Sequence, residues 1–486
     1  MKKRILLLKP YSVVRDQTDC PPLGLLYLTT ALRRRFGDQI EIDVRDLKAA
    51  RRGLEWVSQH LEAFDPHVVG VSALNCEAAV SHQIASLVKT RKPETLAVLG
   101  GPYAHNRGEE ILGSSDFDWT FNGEADLTLP EALYRHFHDK PLDTDIPGLS
   151  YRKPEGLHIC TSQDCIRDLD GLGFPAWDLV DFDGYARKIN MMTMLKGRRY
   201  APIFTSRGCP YLCNYCHDIF GKRFIYRSAE NVLAEIELLY EKYGVDEFEI
   251  VDDIFNLHKP RLKKIMGEVK RRWPGKIHFC FPNGVRADIM DEEVVEALHQ
   301  GGTYAMSVAI ETVTDRLQRL IEKNLEIGRV KQVIDWCDDR GIATRGFFMV
   351  GFPTETPEEV KATMNFAIES RLTAAQFFTV TPQPATRLFE LAKEENAEAL
   401  VGCERDERMG QGYRSDHSWY QRAYGHDLAR MIRHGYARFY LDPRRMWRIL
   451  SLVPMRSWRF GIYRVSTILL GVRDATNSSA AHPGES

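Results

Sequence analysis

Short apolar runs alternate with amphipathic stretches along the first 135 residues. The runs RILLLK (Arg4–Lys9), IEIDV (Ile40–Val44), HVVGVSAL (His67–Leu74) and LAVLG (Leu96–Gly100) have the length of strands. Between them lie stretches such as Leu25–Arg35 and Glu77–Thr90, where apolar positions recur at helical spacing. Strands alternating with helices predict βαβ units and a parallel sheet, whose ligands sit at the strand carboxyl ends. From residue 141 to 198 the pattern breaks into Asp-, Pro- and Gly-rich sequence that reads as a linker with local structure. A second alternating series then begins. Its candidate strands are Pro202–Ser206, Glu247–Asp252, Lys276–Phe281, Tyr304–Glu311, Ala343–Gly351 and Gln376–Thr381. Helical patterns separate them, the clearest being Ala229–Tyr243 and Pro357–Ser370. Six βα units predict an open barrel, two units short of a closed eight-fold one, with its site again at strand carboxyl ends.

The expected organisation is therefore α/β throughout: a doubly wound domain over 1–140, the linker, and a partial (β/α)6 barrel over 199–400. A helical, arginine-rich region over 401–473 follows, with a disordered tail over 474–486. Between Leu428 and Arg464 there are nine arginines, no lysine, and Asp442 as the only acid. The whole chain, by contrast, is balanced: 44% hydrophobic, 27% charged, net charge −2 over 486 residues. That balance gives no support to a nucleic-acid partner. The apolar run between Arg4 and Lys9 is too short for a signal peptide, and no apolar stretch is long enough for a membrane-spanning helix. Cys20, Cys76, Cys160, Cys165, Cys280, Cys337 and Cys403 are scattered, as expected of reduced thiols in a cytoplasmic protein.

Three further cysteines are not scattered. The stretch SRGCPYLCNYCHDIFGKRF follows the first strand of the second series and spaces Cys209, Cys213 and Cys216 as C-x3-C-x2-C. Thiolates this close in one loop converge on a soft metal centre. Zinc with His217 as fourth ligand is one reading, although structural zinc ligands usually come from two separated knuckles and His217 directly follows Cys216. An ordinary electron-transfer cluster needs four cysteines, and no fourth lies nearby. The other reading is a 4Fe–4S cluster with three irons held by protein and one left open.

That spacing, with Tyr215 just before the last cysteine, resembles the radical S-adenosylmethionine superfamily. The resemblance implies that the open iron binds the amino and carboxylate groups of S-adenosylmethionine, and that one electron from the cluster releases a 5′-deoxyadenosyl radical. Later strand ends are similar to the family as well. IVDDIF places Asp252 and Asp253 at the methionine amino group. NGVRAD places Arg286 at the cofactor carboxylate or ribose. AIET places Glu311 at the ribose hydroxyls. MVGFPTET resembles a Gly-Leu-Pro-Gly-Glu-Thr turn, with Thr354 replacing the second glycine, and TPQPATRLF resembles Pro-x-Pro-Gly-Thr, with Ala385 replacing the glycine.

The first domain carries a second set of signals: PPLGLLYL with Pro22 and Gly24, SAL with Ser72 and Leu74, LGGPYAH with Gly100 and Gly101, and NGEADLTLPEAL with Gly123 and Glu124. In this order they resemble the Rossmann-like cobalamin-binding domain found in front of many radical S-adenosylmethionine enzymes. The resemblance implies that Ser72 and Leu74 line the nucleotide tail. It also implies that the paired glycines admit the cofactor to the backbone, so that a side chain at Gly101 would occupy the cofactor's space. DPHVVG fits a pattern in which a histidine ligates cobalt, but His67 falls before its strand, at the wrong end of the sheet, and no such bond is expected.

The activity most common in this family is methylation of an unactivated carbon, a centre that ordinary acid–base chemistry cannot activate. A small-molecule or lipid-like substrate and a reductant such as flavodoxin or ferredoxin go with it. Cyclisation, oxidation or rearrangement without methyl transfer is the second reading, and a non-enzymatic zinc-binding module the third. Catalytic residues beyond the cofactor ligands are not assigned by the sequence. The arginine-rich region reads as a helical cap on the open side of the barrel with solvated arginines. Its alternatives are contact with an anionic membrane surface, anchored by Trp447 and Trp458, or recognition of an acidic substrate.

Overall fold

The computed structural model describes residues 2–12, 19–142, 146–161, 166–188, 190–192, 195–216, 219–382, 386–401 and 418–452. Its first sheet has seven strands: β1 (Lys3–Lys9), β2 (Ile40–Asp46), β3 (Val68–Ser72), β4 (Leu96–Gly100), β5 (Trp119–Phe121), β6 (Leu149–Lys153) and β7 (Gly156–His158). Their order is β2-β1-β3-β4-β5-β6-β7, with β1 to β5 parallel and the last two antiparallel. Ile5, Leu6, Leu7 and Leu8 are all buried, because helices cover both faces; the even and odd residues of β1 enter two separate cores. This is why the strand reads as a continuous apolar run and not as an alternation.

The expected linker carries local structure. Its residues supply β6 and β7, a hairpin turned at Pro154 and Glu155 that extends the first sheet. Further on, the buried Trp177 donates its indole N–H to Glu235 at 2.8 Å, and the Met192 N–H reaches Glu249 at 3.2 Å. The segment thus crosses from one domain to the other and packs against both. Leu23 and Leu26 of the first domain share a core with Trp177, Ala201 and Ile203 of the second.

The second sheet starts at β8 (Tyr200–Ile203). A two-residue ladder, β9 (Ser206–Arg207) against β10 (Ile225–Tyr226), then frames the cysteine loop. The remaining strands are β11 (Glu247–Ile250), β12 (His278–Val285), β13 (Thr303–Glu311), β14 (Ala343–Val350) and β15 (Ala374–Thr379). They run β8-β11-β12-β13-β14-β15, all parallel and in chain order, which is the expected open barrel.

An open barrel leaves an edge with unpaired backbone groups. Here the helix Leu428–Tyr440 covers it. Its Tyr436 hydroxyl accepts the Phe377 N–H at 2.9 Å, and its Tyr440 hydroxyl donates to the Ala375 carbonyl at 3.0 Å. The cap is as the sequence suggests, but not all of its arginines are solvated. Arg445 is buried, stacks on Phe439 at 3.7 Å, and donates to the carbonyls of Ile368, Ser370, Leu372 and Phe439. Arg448 pairs with Asp338. Both arginines bind the cap to the barrel.

Candidate functional site

The cysteine loop is built by the strand ends around it. Gly208 joins β9 to Cys209 at φ +77°, and a Cβ there would lie 2.1 Å from the Arg223 carbonyl oxygen, so only glycine fits. Asp252 is buried and takes hydrogen bonds from the Thr205 N–H, the Thr205 hydroxyl and the Ser206 hydroxyl, each at 2.6 Å. Asp253 accepts the Gly208 N–H at 2.9 Å. The two aspartates thereby fix the turn that leads into the cysteines. Burial pushes the Asp252 carboxyl up, against the opposing Arg261 charge and three donated hydrogen bonds.

Cys209 and Cys213 are half-buried and Cys216 is exposed; the Cys216 N–H closes the turn onto the Cys213 carbonyl at 3.1 Å. The thiols lie near enough to feel one another's charge. Desolvation raises Cys209 against a hydrogen bond from the Tyr211 backbone, with a further push from the Cys213 charge, and desolvation pushes Cys216 up to about 11. Three thiolates in such a place need positive charge among them, which a cluster of iron ions supplies and a bare loop does not. Among the described residues no three His, Cys, Asp or Glu side chains surround a single-ion position. His217, on which the zinc reading leans, lies outside the described residues.

The loop's aromatic residues lead to the other predicted positions. The Arg286 guanidinium stacks on Tyr211 at 3.7 Å, pairs with Asp288 at 3.0 Å and donates to the Lys323 carbonyl at 2.9 Å. It is therefore packed onto the cysteine loop. Tyr215 donates to Glu311 at 3.3 Å, and the buried Lys323 ammonium reaches Glu311 at 2.8 Å and the Tyr215 hydroxyl at 3.2 Å. Glu311 has φ +66°, and Lys323 sits between Glu322 at +56° and Asn324 at +52°. Left-handed backbone at non-glycine residues persists only where its surroundings impose it, and gathers at functional sites. Lys323 escaped sequence reasoning, since a Lys-Asn pair after an amphipathic stretch marks any helix end.

Thr354 also has a left-handed backbone, at φ +63°, where the resembled turn carries glycine. Arg316 holds it by donating to its hydroxyl and its carbonyl, both at 2.9 Å, and its N–H donates to the Tyr424 hydroxyl at 2.8 Å. Glu355 beside it binds the Gly351 and Phe352 N–H groups, and burial pushes its carboxyl up to about 8. Ala385 lies outside the described residues.

In the first domain the paired glycines have different duties. Gly101 has φ +83°, and a Cβ there would stand 2.9 Å from the Ala73 backbone and the Ser72 hydroxyl. The fold itself therefore requires this glycine, and the expectation that a side chain there would fill cofactor space is corrected. Gly100 has nothing within 4 Å of its Cβ position, nor does Gly24, which with Pro22 opens the helix Leu23–Phe36. Ser72 ends β3, and Leu74 just after it is 43% exposed, an apolar side chain left at the strand ends. Open glycine, apolar leucine and hydroxyl at one rim fit a large flat cofactor laid over the sheet. His67 sits at the other end of β3, where its Nδ1 accepts the Arg4 N–H at 3.1 Å.

Gly123, at φ +81°, turns the chain after β5. The Glu124 carboxylate that follows does not point to an open rim. It pairs with Arg207 and accepts the Ile166 N–H at 3.0 Å, while Asp126 pairs with the same guanidinium at 3.1 Å. Arg207 is buried, with Tyr27, Phe220 and Phe204 rings at 5.1, 5.6 and 6.0 Å. Burial raises the Glu124 carboxyl despite that pairing. Arg207 stands two residues before Cys209, so this clasp ties the loop after β5 to the root of the cysteine loop.

Two predictions follow from these geometries. Gly100→Leu keeps the folded first domain and loses cobalamin, measured by absorbance after reconstitution, whereas Gly101→Leu unfolds the domain, measured by circular dichroism; normal cobalamin in Gly100→Leu would refute the cradle. Lys323→Met frees Glu311 from its partner and weakens S-adenosylmethionine binding by roughly ten- to hundred-fold, the equivalent of losing about 1.5–3 kcal/mol of charge-assisted hydrogen bonding. Equilibrium dialysis reads it, with iron content unchanged as the control; wild-type affinity would make Lys323 a purely structural residue.

Comparison with known proteins agrees with this arrangement. The Radical SAM superfamily matches residues 203–367 and the B12 binding domain residues 13–133. An uncharacterized methyltransferase of Pyrococcus horikoshii is 28% identical over 432 residues, covering 88% of this chain and 89% of its own. The cytidylyl-2-hydroxyethylphosphonate methyltransferase of Streptomyces wedmorensis is 28% identical over 433 residues, covering 78% and 80%. A radical S-adenosylmethionine methyltransferase of Kitasatospora setae, solved with tryptophan substrate and an S-adenosylmethionine analogue, has the same fold: TM-score 0.64 at 21% identity, over 77% of this chain and 73% of its own. A cobalamin-binding sheet, followed by an open barrel whose first strand leads into three cysteines, is the build of one group of enzymes. This chain belongs to the radical S-adenosylmethionine superfamily, in the group that carries an amino-terminal cobalamin-binding domain, and its cofactors are a 4Fe–4S cluster, S-adenosylmethionine and cobalamin.

Proposed function

We propose that the protein is a methyltransferase that places a methyl group on an unactivated carbon of a small-molecule or lipid-like metabolite, with a flavodoxin- or ferredoxin-type reductant. The observation that carries this reading is the Arg207 clasp, which brings the carboxyl-end loop of the first sheet against the cysteine loop of the second. Both relatives named above are methyltransferases, which supports it further.

When bound, the cofactors supply a hydrogen-abstracting radical on one side of the cleft and a methyl donor on the other. The chain's own residues do the holding. Cys209, Cys213 and Cys216 carry the cluster, with Tyr211 and Tyr215 shaping their loop. Glu311 receives the ribose hydroxyls, oriented by Lys323 and Tyr215. Arg286, held by Asp288, presents positive charge beside the cysteine loop, and Asp252 and Asp253 keep the loop's entry fixed. Ser72, Leu74 and Gly100 form the cobalamin rim, with Pro22 and Gly24 at the neighbouring helix start. The aromatic rings around Arg207 exclude water from the seam between the two cofactor ends. Beneath, the barrel interior is polar: Arg345 bonds Ser307 at 2.9 Å, and desolvation pushes the buried Glu249 carboxyl up to about 8.

The test is anaerobic turnover of the reconstituted holoenzyme with methyl-deuterated S-adenosylmethionine and fractionated cell extract. Methyl transfer yields a product carrying the label, with S-adenosylhomocysteine and 5′-deoxyadenosine formed in equal amounts. Product-dependent 5′-deoxyadenosine without S-adenosylhomocysteine or label would replace this reading with cyclisation or rearrangement.

A further inference from the structure

The helical cap turns one face to the barrel and leaves the other to solvent. Along the helix Leu428–Tyr440, Arg430, Arg433, His434 and Arg438 are exposed at successive turns of one stripe. Leu441 continues the stripe and is 61% exposed. The next helix, Pro443–Leu452, adds Arg444, with Met446 and Trp447 beside it at 47% and 75% exposure. Arg430, Arg433 and Arg444 have no acidic partner among the described residues. Asp442, the only acid from Leu428 to Leu452, accepts the Arg444 backbone N–H at 2.8 Å.

A soluble protein has reason to bury a tryptophan and to pair its arginines. Here Arg445 and Arg448 are internal, so the cap does have apolar and ionic partners within reach, and the remaining side chains are still left outside. An indole, a thioether and a leucine within a row of unpaired guanidinium groups match the boundary between acyl chains and anionic headgroups. The apolar tips enter the boundary and the arginines meet the phosphates. From residue 453 to 473 the sequence adds four more arginines and no acid. Among the described residues no helix is long and apolar enough to cross a membrane.

We propose that the outer face of the helices Leu428–Tyr440 and Pro443–Leu452 docks on a bilayer surface carrying anionic lipid, with Trp447 as anchor. The docked surface lies on the cap over the open edge of the barrel, so the rest of the enzyme rides above the headgroups. This inference stands independently of whether the chemistry is methyl transfer.

Co-sedimentation of the holoenzyme with vesicles tests it. Vesicles of phosphatidylcholine with phosphatidylglycerol retain the protein, vesicles of phosphatidylcholine alone retain much less, and added salt releases it. Trp447→Ala weakens retention, and the double change Arg433→Glu, Arg444→Glu weakens it by at least roughly fivefold for each arginine lost. Both leave iron and cobalamin content and circular dichroism unchanged, because these side chains support nothing in the fold. No retention by anionic vesicles overturns the proposal. So does retention that the variants do not alter, which would assign binding to other residues, and so does loss of retention to competing nucleic acid.

Discussion

A guanidinium buried between two domains constrains everything else in this molecule. Arg207 cannot sit away from water unless anions meet it, and both of its anions, Glu124 and Asp126, come from the other domain. Breaking a buried pair by removing one partner typically costs about 3–5 kcal/mol, because the remaining charge is left unpaired. The clasp therefore permits one relative placement of the two sheets. It does so at the one place where both present their carboxyl ends, two residues from the first cysteine. Sheets of these kinds bind ligands at those ends, and on this juxtaposition rests our proposal that the two cofactors share a cleft.

Around that cleft the chain accepts local backbone strain, as it also does at Arg51, Asp65, Asn106 and Asp139 in the first domain. Glu311, Glu322, Asn324 and Thr354 all adopt left-handed backbone without being glycine, at a cost of order 1–3 kcal/mol each. Each is held by named neighbours. Lys323 and Tyr215 secure Glu311, the Arg286 bond to the Lys323 carbonyl secures the 322–324 turn, and Arg316 and Tyr424 secure Thr354. The result is a set of side chains fixed before any ligand arrives, as positioning requires.

Much of this was legible in the sequence, and the reasons are physical. Strands buried on both faces announce themselves as unbroken apolar runs, so β1, β3 and β4 were plain. The cysteine spacing needs no tertiary information. What could not be read depends on contacts between distant residues. β6 and β7 are short and pair only because β5 offers an edge, so they passed for linker. Glu124 looked like a cofactor contact, because nothing local says that Arg207, 83 residues on, will take its carboxylate. Gly101 was noticed for the right reason, a close approach, but the approaching atoms belong to Ala73 and not to a ligand. Arg445 was counted with the solvated arginines because its four carbonyl partners are only assembled in the fold.

The shared cleft is the central claim, and magnetic coupling between the two metal centres tests it most directly. With cobalamin in its paramagnetic cob(II) state, reduction of the 4Fe–4S cluster should broaden the cobalamin electron paramagnetic resonance lines and speed their relaxation. Cobalamin lines that stay sharp and relax at the same rate, whether the cluster is oxidised or reduced, would place the two cofactors apart and contradict the account.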